Sequence, residues 1–277
     1  MRIRKLLVGS GLGLCKSPDP DLLLLNNFLP RFKMSHNSFL SASPPPQRSP
    51  LFPDTTSSDL EGSSSLSGDI GHHLSRVLRV QVGETILLGD GRGKTSTATV
   101  TTVQKGLVGI DMGGIAHTPP TRPSLTLAFA VPRPSRADWL VEHGTEVGVA
   151  NFQPLWTERS RPQGLRADRW RKVARAAAGQ CGRAWLPEIH EPMELAALLA
   201  SPPAGTRLLA DTSGSPIQLA TDSSAAVLLI GPEGGFSQTE RANAEQAEFM
   251  AVKFGAHILR TETAALAGAA ILLRDAQ

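Results

Sequence analysis

The sequence predicts an α/β domain preceded by a small β barrel, and three stretches carry that expectation. Residues 228–240, LLIGPEGGFSQTE, pass from an apolar strand into a Gly-Pro-x-Gly-Gly turn and then into a Ser-x-x-Glu helix start. Residues 258–268, ILRTETAALAG, set a polar Arg-Thr-Glu-Thr cluster between a short apolar stretch and an alanine-rich helix. Residues 81–112 carry short alternating strands broken by glycine turns, the pattern of a small all-β unit.

The chain has 277 residues, enough for one large domain or two modest ones, and a net charge of +3, which permits a polyanionic partner without requiring one. Its two cysteines, Cys15 and Cys181, lie far apart, so neither a disulfide framework nor a zinc spacing is visible and no metal is expected. No apolar run reaches the roughly 18 residues of a membrane span. A cytoplasmic protein is expected, or an organellar one if residues 1–40, basic at Arg2, Arg4 and Lys5, are a presequence. Asp19 and Asp21 count against the presequence.

Residues 1–69 read as a flexible extension, because 41–68 are dominated by Ser, Pro and Gly and show no helical or strand period. Residues 70–117 read as the barrel. HHLSRVLRV gives one short amphipathic turn with Leu74, Val77 and Leu78 on one face, and the strands follow. Closure into a barrel is expected because it removes exposed strand edges. Arg76, Arg79, Arg92, Lys94 and Lys105 make this unit cation-rich, either as a grip on RNA phosphates or as an ordinary solvated surface. His72 and His73 are adjacent, point about 100° apart on a helix, and read as surface or capping residues.

Residues 118–124 form a proline-bearing linker, and 125–277 the larger domain. SLTLAFAVP is a near-continuous apolar strand of the kind buried in a parallel sheet. Helices over 135–147, 168–180 and 263–274 alternate with strands over 152–156, 207–210 and 225–230, which places ligands at the carboxyl ends of the strands. On the helix around Trp170, Val173, Ala174, Ala177 and Cys181 form one apolar face with Trp170. Arg166, Arg169, Arg171, Lys172 and Arg175 crowd the rest, and this basic face is weighed slightly toward RNA binding over simple solvation.

Gly231, Gly234 and Gly235 follow a strand and read as a cradle, since a missing Cβ lets backbone approach a ligand. The pattern is neither a dinucleotide fingerprint nor a P-loop. Ser237 and Glu240 have capping-box spacing, so Ser237 reads as a helix cap and not a nucleophile. Arg260 and Glu262 either pair with each other or face one ligand, and Thr261 and Thr263 are candidate caps of the last helix.

GPEGGFS followed by ILRTETAALA resembles the signature of the RsmE family, 16S rRNA uridine-N3 methyltransferases of the SPOUT class. HHLSRVLR, GDGRG, EVGV, ERS, QCGR and PEI echo the same family in order along about 200 residues. The resemblance implies a PUA-like β barrel followed by a SPOUT trefoil-knot methyltransferase domain, with S-adenosylmethionine as cofactor, 16S rRNA or the small ribosomal subunit as partner, and a homodimer. It implies that Ile230, Gly231, Glu233, Gly234 and Gly235 line one side of the cofactor, and Gly255, Ile258, Leu259 and Arg260 the other. Methylation at N3 requires loss of its proton, and the hypothesis from that chemistry is that Arg260 stabilises negative charge on the uracil oxygens while Glu233 or Glu262 helps to remove the proton. Bracing of the loop is the other reading of each glutamate. Arg76, Arg79, Arg92, Lys94, Arg169 and Lys172 are the candidate RNA contacts.

Three positions depart from the family pattern. His143 replaces a lysine, Gly179 a glutamate, and FGAH at 254–257, with Ala256, replaces Leu-Gly-Pro-Arg. The alternatives are a SPOUT methyltransferase acting on another rRNA or tRNA nucleotide, and a non-catalytic RNA-binding assembly factor.

Overall fold

A computed structural model describes residues 51–52, 55, 60, 62, 64–160, 167–217 and 223–274. Two short strands, β1 (Leu51–Phe52) and β2 (Ser65–Leu66), precede a helical turn, α1 (Gly68–His72), that runs on as one π-helical turn over His73–Leu78. Three longer strands follow: β3 (Thr85–Gly89), β4 (Lys94–Gln104) and β5 (Leu107–His117). Their alternation is the one read from the sequence. Ser96, Ala98 and Val100 of β4 turn inward while Thr97 and Thr99 face out.

The sheet runs β1-β3-β4-β5-β2 and is a curled half-barrel in place of the expected closed barrel. Its edges are two-residue strands, which offer little to a foreign strand. The flexible extension expected over 1–69 also needs correcting at its C-terminal end. Leu51 and Phe52 pair in parallel with Leu87 and Leu88, Leu66 pairs with Val108, and Phe52, Leu60 and Leu66 are buried in the core of this sheet. The apolar residues there are too sparse to show a period, and each fills a slot whose walls come from later strands. Residues 1–50 lie outside the described residues. The amphipathic turn needs a second correction: Leu74 is buried, but Val77 and Leu78 are 60% and 43% exposed. The i→i+5 winding of the π turn carries Val77, three residues on, off the Leu74 face.

After Thr118 the chain enters a parallel sheet. In order come β6 (Ser124–Ala130), α2 (Pro134–Val147), β7 (Asn151–Trp156), α3 (Ala167–Cys181), β8 (Glu188–Ile189), β9 (Met193–Glu194), α4 (Leu195–Ala200), β10 (Thr206–Pro216), β11 (Ala225–Ile230), α5 (Gln238–Gln246), β12 (Met250–Lys253) and α6 (Thr261–Leu272). The strand order is β12-β10-β11-β6-β7-β8, with β9 also on β7, and every pairing is parallel. Both faces are covered. Leu125, Leu127, Phe129, Leu228 and Ile230 pack under α2, α3 and α6, while Ala128, Val227, Leu229 and Leu209 face α4 and α5.

Two connections position the site. From β11 the chain passes through α5 to β12 beyond β10, and α6 then comes back over β11 and β6 against α2. Gly268 makes that return close, because a Cβ there would lie 2.6 Å from Leu228 and 2.8 Å from Phe254. Strand β10 is the second device. Ala210 and Ser215 both stand opposite Val252, so residues 211–214 form an excursion at the end of the strand.

The two sheets meet through the Gly-Asp-Gly-Arg-Gly turn. The Gly93 amide donates to the Ala184 carbonyl at 3.1 Å, the Leu186 amide to Gly91 at 2.9 Å, and the Trp185 indole to Thr118 at 2.8 Å. The side chain of Arg92 is left exposed.

Candidate methyl-transfer site

The carboxyl ends of β10, β11 and β12 open into one cavity of about 300 Å³. That is the size of a small-molecule site. The first glycine loop, after β11, contributes Ile230, Gly231, Glu233, Gly234 and Gly235 to its wall. The loop after β12 contributes Gly255, Ile258 and Leu259. Eight of the nine residues expected to hold the cofactor therefore surround one space, although 20 to 30 residues separate the two groups in sequence. Arg260 is the exception: it is exposed, sits at the N-cap of α6, and is not part of the cavity wall.

The first loop is closely braced. Gly235 has φ +70°, a left-handed conformation that glycine adopts without Cβ strain, and its amide donates to the Pro232 carbonyl at 2.8 Å. The Glu240 amide donates to Ser237 Oγ at 3.1 Å and the Ser237 amide to Glu240 Oε2 at 2.8 Å, which completes the expected capping box. Glu240 Oε1 in turn accepts from the Glu158 amide at 2.8 Å, and Arg159 Nη1 donates to the Gly234 carbonyl at 2.5 Å. The Glu-Arg-Ser segment at 158–160 is thus a backing for the glycine loop.

The second loop touches the first through Thr261, whose hydroxyl donates to the Gly231 carbonyl at 2.9 Å. That replaces the capping role expected of Thr261: no side chain caps α6, and Thr263 is exposed.

The two candidate carboxylates share one guanidinium that the sequence reading did not single out. Arg136, in the first turn of α2, places Nη1 3.0 Å from Glu233 Oε1 and Nε 3.5 Å from Glu262 Oε1. Glu233 is exposed, whereas Glu262 is buried and its Oε2 has no hydrogen-bond partner among the described residues. A signal for Arg136 existed in the Pro-Ser-Arg start of a helix after β6, but nothing in its spacing tied it to residues about 100 and 130 positions later. The alternative pairing of Arg260 with Glu262 is not formed among the described residues.

The β10 excursion adds Asp211 and Thr212 to the wall, and α5 adds Arg241. Asp211 Oδ2 lies 2.6 Å from Arg241 Nη1, and its Oδ1 accepts from both the amide and the hydroxyl of Ser213. Burial pushes the Asp211 carboxyl up, but the Ser213 donors and the Arg241 charge outweigh it and hold it below the usual range. Neither residue stands out in the sequence, because a bulge in a parallel strand has no periodic mark.

The candidate RNA contacts divide by environment. Arg76, Arg79 and Arg92 are exposed, and Lys94 is half-buried. Arg169 is engaged with Asp138 through Nε at 2.8 Å and Nη2 at 2.6 Å, which ties α3 to α2. Lys172 is exposed. Arg171 is held by Asp168 and Glu191, and Arg166 lies outside the described residues. Arg183 of the Gln-Cys-Gly-Arg segment closes the C-terminal end of α2 instead, donating to the carbonyls of Thr145 at 2.9 Å and Gly148 at 3.3 Å. Burial lowers its guanidinium to about 10, still protonated at neutral pH.

Comparison with known proteins fits this geometry. The family model of the RNA methyltransferase domain matches residues 119–273, and that of the RNA methyltransferase PUA domain residues 66–110. The chain is 31% identical over 229 residues to the ribosomal RNA small subunit methyltransferase E of Mycobacterium bovis, covering 78% of this chain and 87% of that protein. The chain belongs to the ribosomal RNA small subunit methyltransferase E family. Among solved structures, the family member from Neisseria gonorrhoeae bound to S-adenosyl methionine aligns with TM-score 0.73 at 31% identity, over 81% of this chain and 96% of that one. A methyltransferase from Legionella pneumophila in complex with the same cofactor aligns with TM-score 0.69 at 28% identity, over 77% and 92%.

The family resemblance also gives the fold class its name: an α/β SPOUT domain preceded by a PUA unit. Of the departures from the family pattern, His143, Gly179 and Ala256 fall outside the cavity wall, whereas Phe254 and His257 of the second loop line it. The His143 ring lies 4.3 Å from that of Trp139 on α2, tilted by 49°, Gly179 is buried in α3, and Ala256 is exposed in the second loop.

Proposed function

We propose that this chain transfers a methyl group from S-adenosylmethionine to N3 of a uridine in small-subunit 16S rRNA, acting as a cytoplasmic homodimer. The observation that carries the reading is the single cavity between the two loops at the strand carboxyl ends. It has the chemistry the cofactor needs. Ile230, Phe236, Phe254 and Leu259 offer apolar surface for a purine, and Asp211, Glu233 and Arg241 offer charge for an amino acid's ammonium and carboxylate.

When bound, the cofactor supplies a methyl group made electrophilic by a positively charged sulfur. The residues of this chain then have three tasks. The glycine loop and its backing would hold the cofactor so that its methyl meets the attacking nitrogen, and alignment of this kind supplies at best about 7–11 kcal/mol of the barrier. Uridine N3 carries a proton and lies on the pairing edge of the base, so the base must be unpaired or flipped out before it reaches the site. The N3 proton would pass to a carboxylate while the nitrogen electron pair forms the new bond to the methyl carbon, and the carbon–sulfur bond would break with its electron pair leaving on the now neutral sulfur. Glu262 is favoured over Glu233 for that role: it is not itself part of the cavity wall, but it follows Thr261, which is, and its buried Oε2 has no hydrogen-bond partner among the described residues. Arg260, exposed at the rim, is assigned to the negative charge that gathers on the uracil oxygens.

Arg76, Arg79, Arg92 and Lys172 are assigned to RNA phosphates. Arg169 contributes less, because Asp138 already neutralises it. The test is to incubate the purified protein with small ribosomal subunits and labelled cofactor, digest the RNA and separate the nucleosides. Label in 3-methyluridine is expected. Label in another nucleoside would move the chain to a different target, and cofactor binding without any label would favour an assembly factor. Sedimentation of the active species is expected to give a dimer, and a fully active monomer would contradict that part.

A further inference from the structure

Arg136 lies between the two loops, and no sequence motif marks it. Its guanidinium reaches Glu233 at 3.0 Å through Nη1 and Glu262 at 3.5 Å through Nε, so one planar fork spans the first glycine loop and the start of α6. The two carboxylates differ in what they need from it. Glu233 is exposed and solvated by water whether or not Arg136 is present. Glu262 is buried, its Oε2 has no hydrogen-bond partner among the described residues, and Arg136 lies 3.5 Å from its Oε1. A buried carboxylate with one oxygen unpartnered is costly to keep, and such groups persist where a ligand completes them.

We propose that Arg136 is a positioning residue for methyl transfer: by pairing with Oε1 it fixes the Glu262 carboxylate, and leaves Oε2 as the acceptor for the N3 proton. The clamp to Glu233 makes this alignment depend on the first loop being in place. The inference rests on the assignment of Glu262 as proton acceptor, and it adds the group through which that acceptor is held.

Four variants of the full chain test it: Arg136→Ala, Arg136→Lys, Glu262→Gln and the double variant Arg136→Ala/Glu262→Gln. Each is assayed on small ribosomal subunits at saturating cofactor. Arg136→Ala is expected to lower kcat about 100-fold while the cofactor Kd by calorimetry stays within about threefold, since Arg136 is outside the cavity wall. Arg136→Lys keeps the charge without the fork and is expected to recover about tenfold of the loss. In the Glu262→Gln background, Arg136→Ala should cost nothing further.

A second readout needs no turnover. In the protein free of cofactor and RNA, amide exchange of residues 261–264 should rise about tenfold in Arg136→Ala and less in Arg136→Lys. If Arg136→Ala lowered kcat equally in both backgrounds, or left exchange at 261–264 unchanged, the positioning role would be overturned. Full activity of Glu262→Gln would remove the acceptor assignment itself and the inference with it. Full activity of Arg136→Ala beside an inactive Glu262→Gln would remove only the inference. If Arg136→Ala did not fold, the kcat and exchange of Arg136→Lys would decide by the same criteria.

Discussion

The two loops that wall the cavity are held in opposite ways. Residues 231–237 are fixed by their own turn, by the Ser237–Glu240 capping box, by Arg159 on the Gly234 carbonyl and by Arg136 on Glu233. Residues 254–259 make no hydrogen bond among the described residues, and Ile258 is 87% exposed. The difference teaches that folding builds one half of the site and leaves the other half for a ligand to complete. A preformed half limits the ordering cost of binding, and an open half gives a cofactor of this size a way in.

Substitutions should separate the halves. The largest effect is expected at the start of α6, beyond the open loop: Glu262→Gln should lower single-turnover methylation by on the order of 10²–10⁴ if it removes a general base. Glu233→Gln, in the braced loop, should cost less than about tenfold, since its carboxylate already lies in solvent. Equal losses would erase the distinction between the two carboxylates.

Next comes the brace itself. Glu240→Ala strands the amides of Ser237 and Glu158 and breaks the cap, and it should lower stability by about 2–3 kcal/mol in denaturant unfolding. It should also make amide exchange in 231–237 resemble that of the second loop. In contrast, Ile258→Ala should change stability by no more than about 0.5 kcal/mol. It should still weaken cofactor binding by calorimetry several-fold, because that side chain lines the cavity and a bound ligand would cover it.

The smallest effect is electrostatic and concerns the wall contributed by β10. The folded Asp211 carboxyl lies below its unfolded value, so its stabilisation is complete above about pH 4 and is lost as pH falls through the folded value. Removing the charge in Arg241→Ala should raise the folded value and shift the onset of acid unfolding upward by a few tenths of a pH unit. An unchanged acid limb would mean that the Ser213 donors alone set the Asp211 titration.

What could be read from the sequence follows the range of the interactions involved. The apolar run Ala225–Ile230, the Ser237–Glu240 box and the helix around Trp170 are local patterns, and each stands where it was expected. Strand β12 was not foreseen, since MAVK is four residues long and has no period to detect. Arg136, Asp211 and Arg241 reach the site through a helix start, a bulge and a neighbouring helix, and no spacing in the chain encodes those approaches. The clustering of the two loop motifs around one cavity came from the resemblance to the family and not from periodicity. Arg260 was placed with the cofactor by the same resemblance, whereas the fold leaves it at the rim.

The split cavity is the centre of this account, and amide exchange with and without S-adenosylmethionine tests it most directly. Saturating cofactor should slow exchange at residues 254–260 by about tenfold or more, and change residues 231–237 far less, because their bonds already exist. Binding that protected neither loop, or protected the first loop as strongly as the second, would contradict it.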